Sequence, residues 1–165
     1  MTPTRNPLQN SSINPFRNYS INPVHNYSIN PMHNYSINPM HNYSINPVHN
    51  YSINPLHNYS INPSHNYIIN PLHNYNINPL YNPSIPGWYY FDLKNTNLGY
   101  TVKANEGAFL IMYDRFNAIQ SYWVKRGTGY CMFDNALSYT GYAESDGNNG
   151  FNIFDLYGHW IGHLK

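Results

Sequence analysis

The chain has 165 residues, a net charge of +1, and charged side chains at only 9% of its positions. With so little net positive charge, the sequence gives no electrostatic reason to expect binding to nucleic acid or to an anionic membrane. The single cysteine, Cys131, excludes an intramolecular disulfide. No apolar run reaches the length of a signal peptide or of a membrane span, so we expect a cytoplasmic protein.

The N-terminal half is an octapeptide array. Residues 1–11 form a tail, and residues 12–83 repeat the unit Ser-Ile-Asn-Pro-x-His-Asn-Tyr. Proline at this spacing forbids a continuous helix and interrupts any long strand ladder. Asn-Pro-x-His predicts a β-turn in which the Asn side chain folds onto the backbone. The Tyr-Ser-Ile segment is expected to run extended to the next turn.

Two structures are compatible with this array. It is either a flexible low-complexity segment with transient turns, or a solenoid with the isoleucine and the variable residue inside. The variable position is usually apolar, as at Val24 and Met32. The only fixed charge between residues 12 and 86 is Arg17. A neutral polymer rich in tyrosine and asparagine tends to self-associate.

A column of histidines recurs along the array. Its members are His25, His33, His41, His49, His57, His65 and His73. Imidazole binds metals and titrates near neutrality, so the column is a weak candidate for a metal site or a pH sensor. The same position holds Arg17 in the first copy and Tyr81 in the last, which favours a planar, hydrogen-bonding group beside a turn. We therefore predict no bound metal and no cofactor.

Residues 84–86 link the array to an aromatic-rich domain at residues 87–165, in which an aromatic–Asp pair recurs four times. The pairs are Phe91-Asp92, Tyr113-Asp114, Phe133-Asp134 and Phe154-Asp155. Three residues after the Asp lie Asn95, Asn117, Leu137 and Gly158, and seven residues after it lie Gly99, Ser121, Gly141 and Gly162. An Asp that opens a turn accepts backbone N–H groups, and Asn or Gly tolerates the left-handed conformation that closes it.

Each of the four Asp residues is therefore predicted to be a structural turn residue. Leu137 departs from the Asn or Gly pattern and should mark a strained or differently shaped turn. Further turns are predicted at residues 105–107, 126–129 and 146–150. About eight short strands follow, which predicts an all-β domain of four antiparallel hairpin repeats arranged radially or as a small barrel.

Eighteen aromatic side chains in 79 residues are more ring surface than a monomer of this size readily buries. We therefore expect an exposed aromatic patch that contacts a ligand or a partner. The candidate residues are Trp88, Trp123, Trp160, Tyr100, Tyr122 and Tyr142.

The segments IMYDRFNAIQSYW, CMFDNALSYTGY and NIFDLYGHWIGHL resemble the hairpins of the bacterial four-fold beta flower proteins. The resemblance covers about residues 87–165, or half of the chain. It implies β-hairpins that radiate about a four-fold axis. It implies no catalytic residues.

These features predict a non-catalytic structural or interaction protein. The β domain would mediate self-association, or bind a protein or glycan partner, through exposed rings, with the array as a spacer or stacking arm. The alternative is a carbohydrate- or small-ligand-binding module that uses tryptophan and tyrosine. The sequence contains no phosphate loop, nucleophile elbow or zinc-ligand spacing, so we predict that it is not an enzyme.

Overall fold

The structure, a computed structural model, describes residues 6–62, 64–70, 73–75, 88–104 and 108–165. Its C-terminal half is a closed, eight-stranded antiparallel barrel in which each strand pairs with its neighbours in chain order. This confirms the predicted all-β fold of hairpin repeats. The strands are β1 Tyr89–Asp92, β2 Asn97–Ala104, β3 Phe109–Asp114, β4 Ile119–Arg126, β5 Gly129–Phe133, β6 Tyr139–Ser145, β7 Phe151–Asp155 and β8 Trp160–Leu164.

The four recurring Asp residues close one end of the barrel with equivalent turns. The Oδ1 atom of Asp114 accepts the backbone N–H groups of Phe116 at 2.8 Å and Ala118 at 3.0 Å. Asp92, Asp134 and Asp155 accept the same pair of bonds in their own turns. The predicted role of these residues as turn formers is confirmed.

Left-handed backbone occurs at the position that the sequence indicated. The φ angles there are 62° at Asn95, 67° at Asn117, 65° at Leu137 and 83° at Gly158. Leu137 makes the same turn as the others, so the expectation of a different shape was wrong. The expectation of strain was correct, because a side chain in this region costs about 1–2 kcal/mol. Leu137 is buried in the core, which offsets that cost.

A fifth turn of this kind lies at the opposite end of the barrel, between β6 and β7. Asp146 accepts the N–H groups of Asn148 at 2.7 Å and Gly150 at 3.0 Å, and Asn149 has a φ of 66°. The predicted turn at residues 146–150 is thus confirmed, but its likeness to the four aromatic–Asp turns was not anticipated, because Ser145 and not an aromatic residue precedes this Asp.

Small residues seven positions after the Asp allow the strands to approach closely. A Cβ atom at Gly99 would lie 2.0 Å from the carbonyl oxygen of Tyr113. At Gly162 it would lie 2.6 Å from the carbonyl oxygen of Phe91, across the seam where β8 meets β1. The repeat is therefore built so that each small residue fits against the aromatic–Asp strand of the next hairpin.

The barrel has two apolar faces, because successive side chains in a strand alternate in direction. The inner face forms one buried cluster, which includes Leu110, Trp123, Ala143, Ile153 and Leu164. The outer face carries a second buried cluster along β1 to β5, and array residues belong to it.

Each unit of the array folds as two consecutive turns capped by asparagine. The Oδ1 atom of Asn18 accepts the N–H group of Ser20 at 3.2 Å, and Tyr19–Ile21 forms one turn of 3-10 helix. Asn22 is extended before proline, and its carbonyl oxygen accepts the N–H group of His25 at 3.0 Å. The predicted Asn-Pro turn is confirmed, whereas the extended Tyr-Ser-Ile segment was wrong, because the asparagine cap starts a helical turn there.

Eight such helical turns are present in the described part of the chain. They are η1 Ser11–Ile13, η2 Tyr19–Ile21, η3 Tyr27–Ile29, η4 Tyr35–Ile37, η5 Tyr43–Ile45, η6 Tyr51–Ile53, η7 Tyr59–Ile61 and η8 Tyr67–Ile69.

Asparagine side chains tie each unit to the one before it. The Nδ2 group of Asn22 donates to the carbonyl oxygen of Pro15 at 3.0 Å, and that of Asn26 donates to the carbonyl oxygen of Ser20 at 2.8 Å. Both asparagines also accept a backbone N–H group through Oδ1. The amide of asparagine, which donates and accepts at once, explains how an uncharged repeat forms a regular coil.

The array lies against the outer face of the barrel. Ile53 and Ile61 are buried in the cluster formed by the outward rings of β1 to β5, and Ile37 and Ile45 pack against it. The hydroxyl group of Tyr113 donates to the carbonyl oxygen of Ile61 at 2.7 Å. The array and the barrel therefore share one core.

The path of the array opposes the order of the strands. The ring of Phe16 lies 6.2 Å from that of His159 in the β7–β8 turn, and the thiol of Cys131 in β5 lies 3.5 Å from the carbonyl oxygen of Ile29. Further along, η4 contacts β4 and η7 contacts β2. The predicted linker at residues 84–86, the predicted turn at 105–107 and Tyr81 lie outside the described residues.

The asparagine network yields a test of the array. Asn38 is buried, donates Nδ2 to the carbonyl oxygen of Pro31 at 3.1 Å and accepts the N–H group of Met40 at 3.0 Å. In Asn38→Asp a carboxylate oxygen would face that carbonyl oxygen, so we expect the free energy of unfolding to fall by about 2–3 kcal/mol. Chemical denaturation followed by circular dichroism measures this loss.

The control is Ser36→Ala, which removes only an exposed hydrogen bond from the Ser36 hydroxyl to Asn34. It should cost about 0.5 kcal/mol. Equal losses for the two variants would contradict the proposed role of the asparagine amides.

Candidate functional site

The outer surface of the array is a row of stacked rings. Each pair joins a tyrosine to the histidine six residues later, with centroids 3.8–4.1 Å apart and planes within 18° of parallel. The pairs are Tyr19–His25, Tyr27–His33, Tyr35–His41, Tyr43–His49, Tyr51–His57, Tyr59–His65 and Tyr67–His73.

Stacking explains why the histidine position needs a planar side chain. In the first copy, Ser11 replaces the tyrosine and Arg17 replaces the histidine, so the two members of the pair change together. No group of three or more His, Cys, Asp or Glu side chains able to hold a metal ion occurs among the described residues. The structure thus gives the imidazoles a tyrosine partner and does not gather the weak metal candidates into one site.

The variable position of the array faces outward. Met32 is 62% exposed, and Val24 and Met40 are similarly exposed. The solenoid alternative placed this residue inside, which was wrong, because the isoleucines of the described units pack toward the barrel instead, as at Ile53 and Ile61. Most units of the described array therefore present an apolar residue and a Tyr–His stack to solvent.

A groove of about 650 Å³ runs between the array and the β5–β6 end of the barrel. Val24, Met32 and Met40 line it on the array side, and Leu137 and Leu156 line it on the barrel side. These are variable residues of three consecutive units and two turn residues. The groove is mainly apolar, as expected of a surface that excludes water on contact.

Most of the rings predicted to form an exposed patch are buried. Trp123 is 0% exposed in the barrel interior, where its Nε1 group donates to the Ser121 hydroxyl at 2.7 Å. Tyr100, Tyr122 and Tyr142 are buried on the outer face of the barrel. The prediction was wrong for these four residues. The three tyrosines are buried because the array covers the outer face, and Trp123 is buried because its side chain points into the closed barrel.

Burial also fixes the protonation state of the covered tyrosines. Removal from water raises the pKa of the Tyr89 hydroxyl to about 12. Burial raises the pKa of Tyr113 further, with smaller contributions from the neighbouring hydroxyls of Tyr100 and Tyr122. These phenols therefore remain neutral at physiological pH, as the hydrogen bond donated by Tyr113 to the array requires.

Trp88 and Trp160 are half-buried. The Nε1 group of Trp160 donates to the carbonyl oxygen of Gly162 at 2.8 Å, which holds the ring over β8. Trp88 lies at the barrel mouth, defined here as the end of the barrel lined by Trp88, Tyr130, Phe151 and Lys125. Trp88 lines this cavity together with Tyr130 and Phe151.

The barrel mouth is a residue set that the sequence did not indicate. Trp88 meets Phe151 edge to face at 5.6 Å and Tyr130 at 6.4 Å between centroids. The Lys103 ammonium group lies 4.2 Å from the centroid of Trp88. The sequence did contain a signal for this site. Lys103 and Lys125 occupy strand positions at which the alternating pattern would place an inward, apolar residue.

The four turn carboxylates are not brought together as a reactive pair. Each of them accepts backbone hydrogen bonds within its own turn, as described above. Asp155 also contacts Nδ1 of His159 at 3.1 Å, and the Oδ2 atom of Asp114 accepts from Gln120 at 3.1 Å. Their geometry is that of turn formation.

Comparison with known proteins gives no relative: no family model, curated protein or solved structure matches this chain. The described part of the chain contains no helix of the length and apolar character needed to cross a membrane.

The Asp155 carboxyl yields a test of the turn by pH. Burial by itself raises its pKa, but hydrogen bonds from the N–H groups of His159 and Tyr157, and from the His159 side chain, lower the pKa below 3.8 overall. A lowered pKa in the folded state means that the carboxylate stabilises the fold above about pH 4 and that this contribution is lost as the pH falls further.

Asp155→Asn keeps an oxygen acceptor but removes the charge. We expect the variant to lose less stability than the parent protein between about pH 5 and pH 2. Thermal melting at a series of pH values measures this difference, and His159→Gln should show part of the same effect. If the melting temperature of Asp155→Asn fell with decreasing pH as steeply as that of the parent protein, the stabilising role of the Asp155 carboxylate would be contradicted.

Proposed function

We propose that this protein is a non-catalytic interaction protein that self-associates through the outer surface of its octapeptide array. The observation that carries this proposal is the regular exposure of apolar side chains. Most exposed large apolar residues of the described chain belong to the array, and they are mainly its tyrosines and its variable residues. The array thus serves as the contact surface, and the barrel as the body on which it is held.

The repetition of this surface favours a second copy of the chain as the partner. Identical contacts at regular intervals allow several weak interactions to act together once the first has formed. Low charge removes the repulsion that usually keeps exposed segments apart. The groove beside Met32 and Met40 adds flexible thioether side chains, which adapt to irregular partner surfaces.

The proposal also covers catalysis, the cellular compartment and the family of the protein. The absence of a catalytic role is supported by the turn carboxylates, whose hydrogen bonds serve their own hairpins. A cytoplasmic setting is supported by Cys131, a buried free thiol. Kinship with the four-fold beta flower proteins rests on the resemblance of the hairpin segments in the sequence.

A second candidate function is a small-ligand-binding module. The observation that favours it is the barrel mouth, where Trp88 and Phe151 are only half-buried and line a cavity. Carbohydrates or other ring-bearing molecules stack on such side chains.

Self-association can be tested with a triple variant of the variable position. Val24→Ser, Met32→Ser and Met40→Ser remove three exposed apolar side chains, and Ser64 shows that the repeat accepts serine at this position. We expect the fold to remain and the dissociation constant for self-association to rise about tenfold or more, since about 1.4 kcal/mol corresponds to one factor of ten. Sedimentation velocity over a concentration series measures the shift.

The matched control removes three exposed apolar residues from the barrel turns: Leu93→Ser, Phe116→Ser and Tyr157→Ser. Phe116 is 82% exposed, so general surface stickiness predicts at least as large an effect. The proposal fails if the parent protein is strictly monomeric up to about 1 mM, or if the control weakens association as much as the array variant.

A further inference from the structure

The barrel mouth is a concave site at the end opposite the four aromatic–Asp turns. Its rim is formed by the β4–β5 hairpin at residues 126–129 and by the β6–β7 turn at residues 146–150. The cavity measures about 660 Å³. This volume falls in the range of small-ligand pockets, which occur preferentially in the mouths of β-barrels.

Aromatic side chains form the floor of the mouth. Trp88, Tyr130 and Phe151 contact one another edge to face, and Trp123 lies beyond Tyr130 at 6.3 Å. Trp88 precedes β1 and Tyr130 lies in β5, on the far side of an eight-stranded barrel. Their contact therefore closes the lumen, so a ligand rests on the rings and does not pass through them.

Two lysines face this aromatic floor. The Lys103 ammonium group is held over the Trp88 ring, and Lys125 lines the mouth opposite Tyr130 in the strand pair β4–β5. Within the described residues, neither lysine pairs with a carboxylate. Of the acidic groups near the rim, Glu144 accepts a hydrogen bond from the Thr128 hydroxyl and Asp146 accepts the N–H groups of its own turn.

We propose that the barrel mouth binds a small anion that carries a planar ring. The ring stacks against the half-buried faces of Trp88 and Phe151, and the acid group lies within reach of the ammonium groups of Lys103 and Lys125. This inference rests on the second candidate function, a small-ligand-binding module, and specifies that the ligand is negatively charged.

The charge of the site distinguishes this ligand from a neutral sugar. A sugar site supplies acceptors for hydroxyl groups, usually carboxylates or side-chain amides, beside the ring on which the sugar stacks. The mouth supplies two cations next to exposed ring surface, Lys125 in its lining and Lys103 over the Trp88 ring. Its lining also includes the neutral polar side chains of Thr128, Ser145 and Asn149, but no carboxylate of the described residues. An ammonium group close to an apolar wall attracts an anion more strongly than one in open water, because the local dielectric is lower.

A matched pair of probes tests the proposal on the full-length protein. Naphthalene-2-sulfonate carries the ring and the negative charge, and naphthalene-2-sulfonamide carries the ring without the charge. We expect the sulfonate to bind with one-to-one stoichiometry in isothermal titration calorimetry, and about tenfold more tightly than the sulfonamide. Raising the salt concentration should weaken only the sulfonate.

Lysine variants locate the charge recognition. Lys103→Met and Lys125→Met should each weaken sulfonate binding about tenfold and leave sulfonamide binding unchanged. The control, Lys94→Met, removes an exposed lysine from the β1–β2 turn at the other end of the barrel and should change neither affinity. Trp88→Leu should weaken both probes, because both use the ring.

The outcomes separate this inference from the function on which it rests. Equal affinity for the two probes, or equal effects of Lys103→Met and Lys94→Met, overturns anion recognition and leaves the ligand-binding candidate in place. No saturable binding of either probe overturns both. Loss of binding in a Met32→Ser, Met40→Ser variant places the probe on the array and also overturns the inference.

Discussion

The burial of array isoleucines against the outward rings of the barrel is the interaction on which the rest of the structure depends. The barrel is apolar on both faces. Closure of the barrel buries only the inner face, so the outer face needs a cover. Uncovered, the rings of Phe109, Tyr113 and Phe133 would form a large apolar surface. Each isoleucine that covers them contributes about 2 kcal/mol. The array needs this contact as well, because single helical turns are not stable alone in water.

Covering the barrel divides the described octapeptides into two faces with different roles. Isoleucine packs toward the barrel and proline is buried, while tyrosine, histidine and the variable residue face solvent. Asparagine connects successive units through its amide, so the coil needs no charged groups. The outer face can therefore repeat the same rings along the protein, which is why we propose self-association through the array and small-molecule binding at the uncovered barrel mouth.

The sequence predicted the parts of the structure that depend on local chemistry. Asp at the head of a turn, Asn or Gly at the left-handed position and Asn before Pro act within a few residues, so their roles were predicted correctly.

The parts that depend on distant contacts were missed. Nothing within one octapeptide shows that a barrel lies beneath it, so the variable residue was placed inside and Tyr100, Tyr122 and Tyr142 were placed outside. Trp123 was misplaced for a related reason, since the choice between the two faces of a strand depends on barrel closure. The mouth was missed because Trp88, Tyr130 and Phe151 come from segments that only the closed barrel brings together.

Native-state hydrogen exchange on the intact protein tests most directly whether the array is packed onto the barrel. The informative amides are those bonded within array turns, such as His49 to Asn46 and Asn62 to Tyr59, compared with strand amides of β3 and β4. A packed array predicts slow exchange of the array amides. In Ile53→Ala and Ile61→Ala, the protection of the array amides and of the β3 amides should fall together. Exchange of the array amides within seconds, beside a fully protected barrel, would contradict the account.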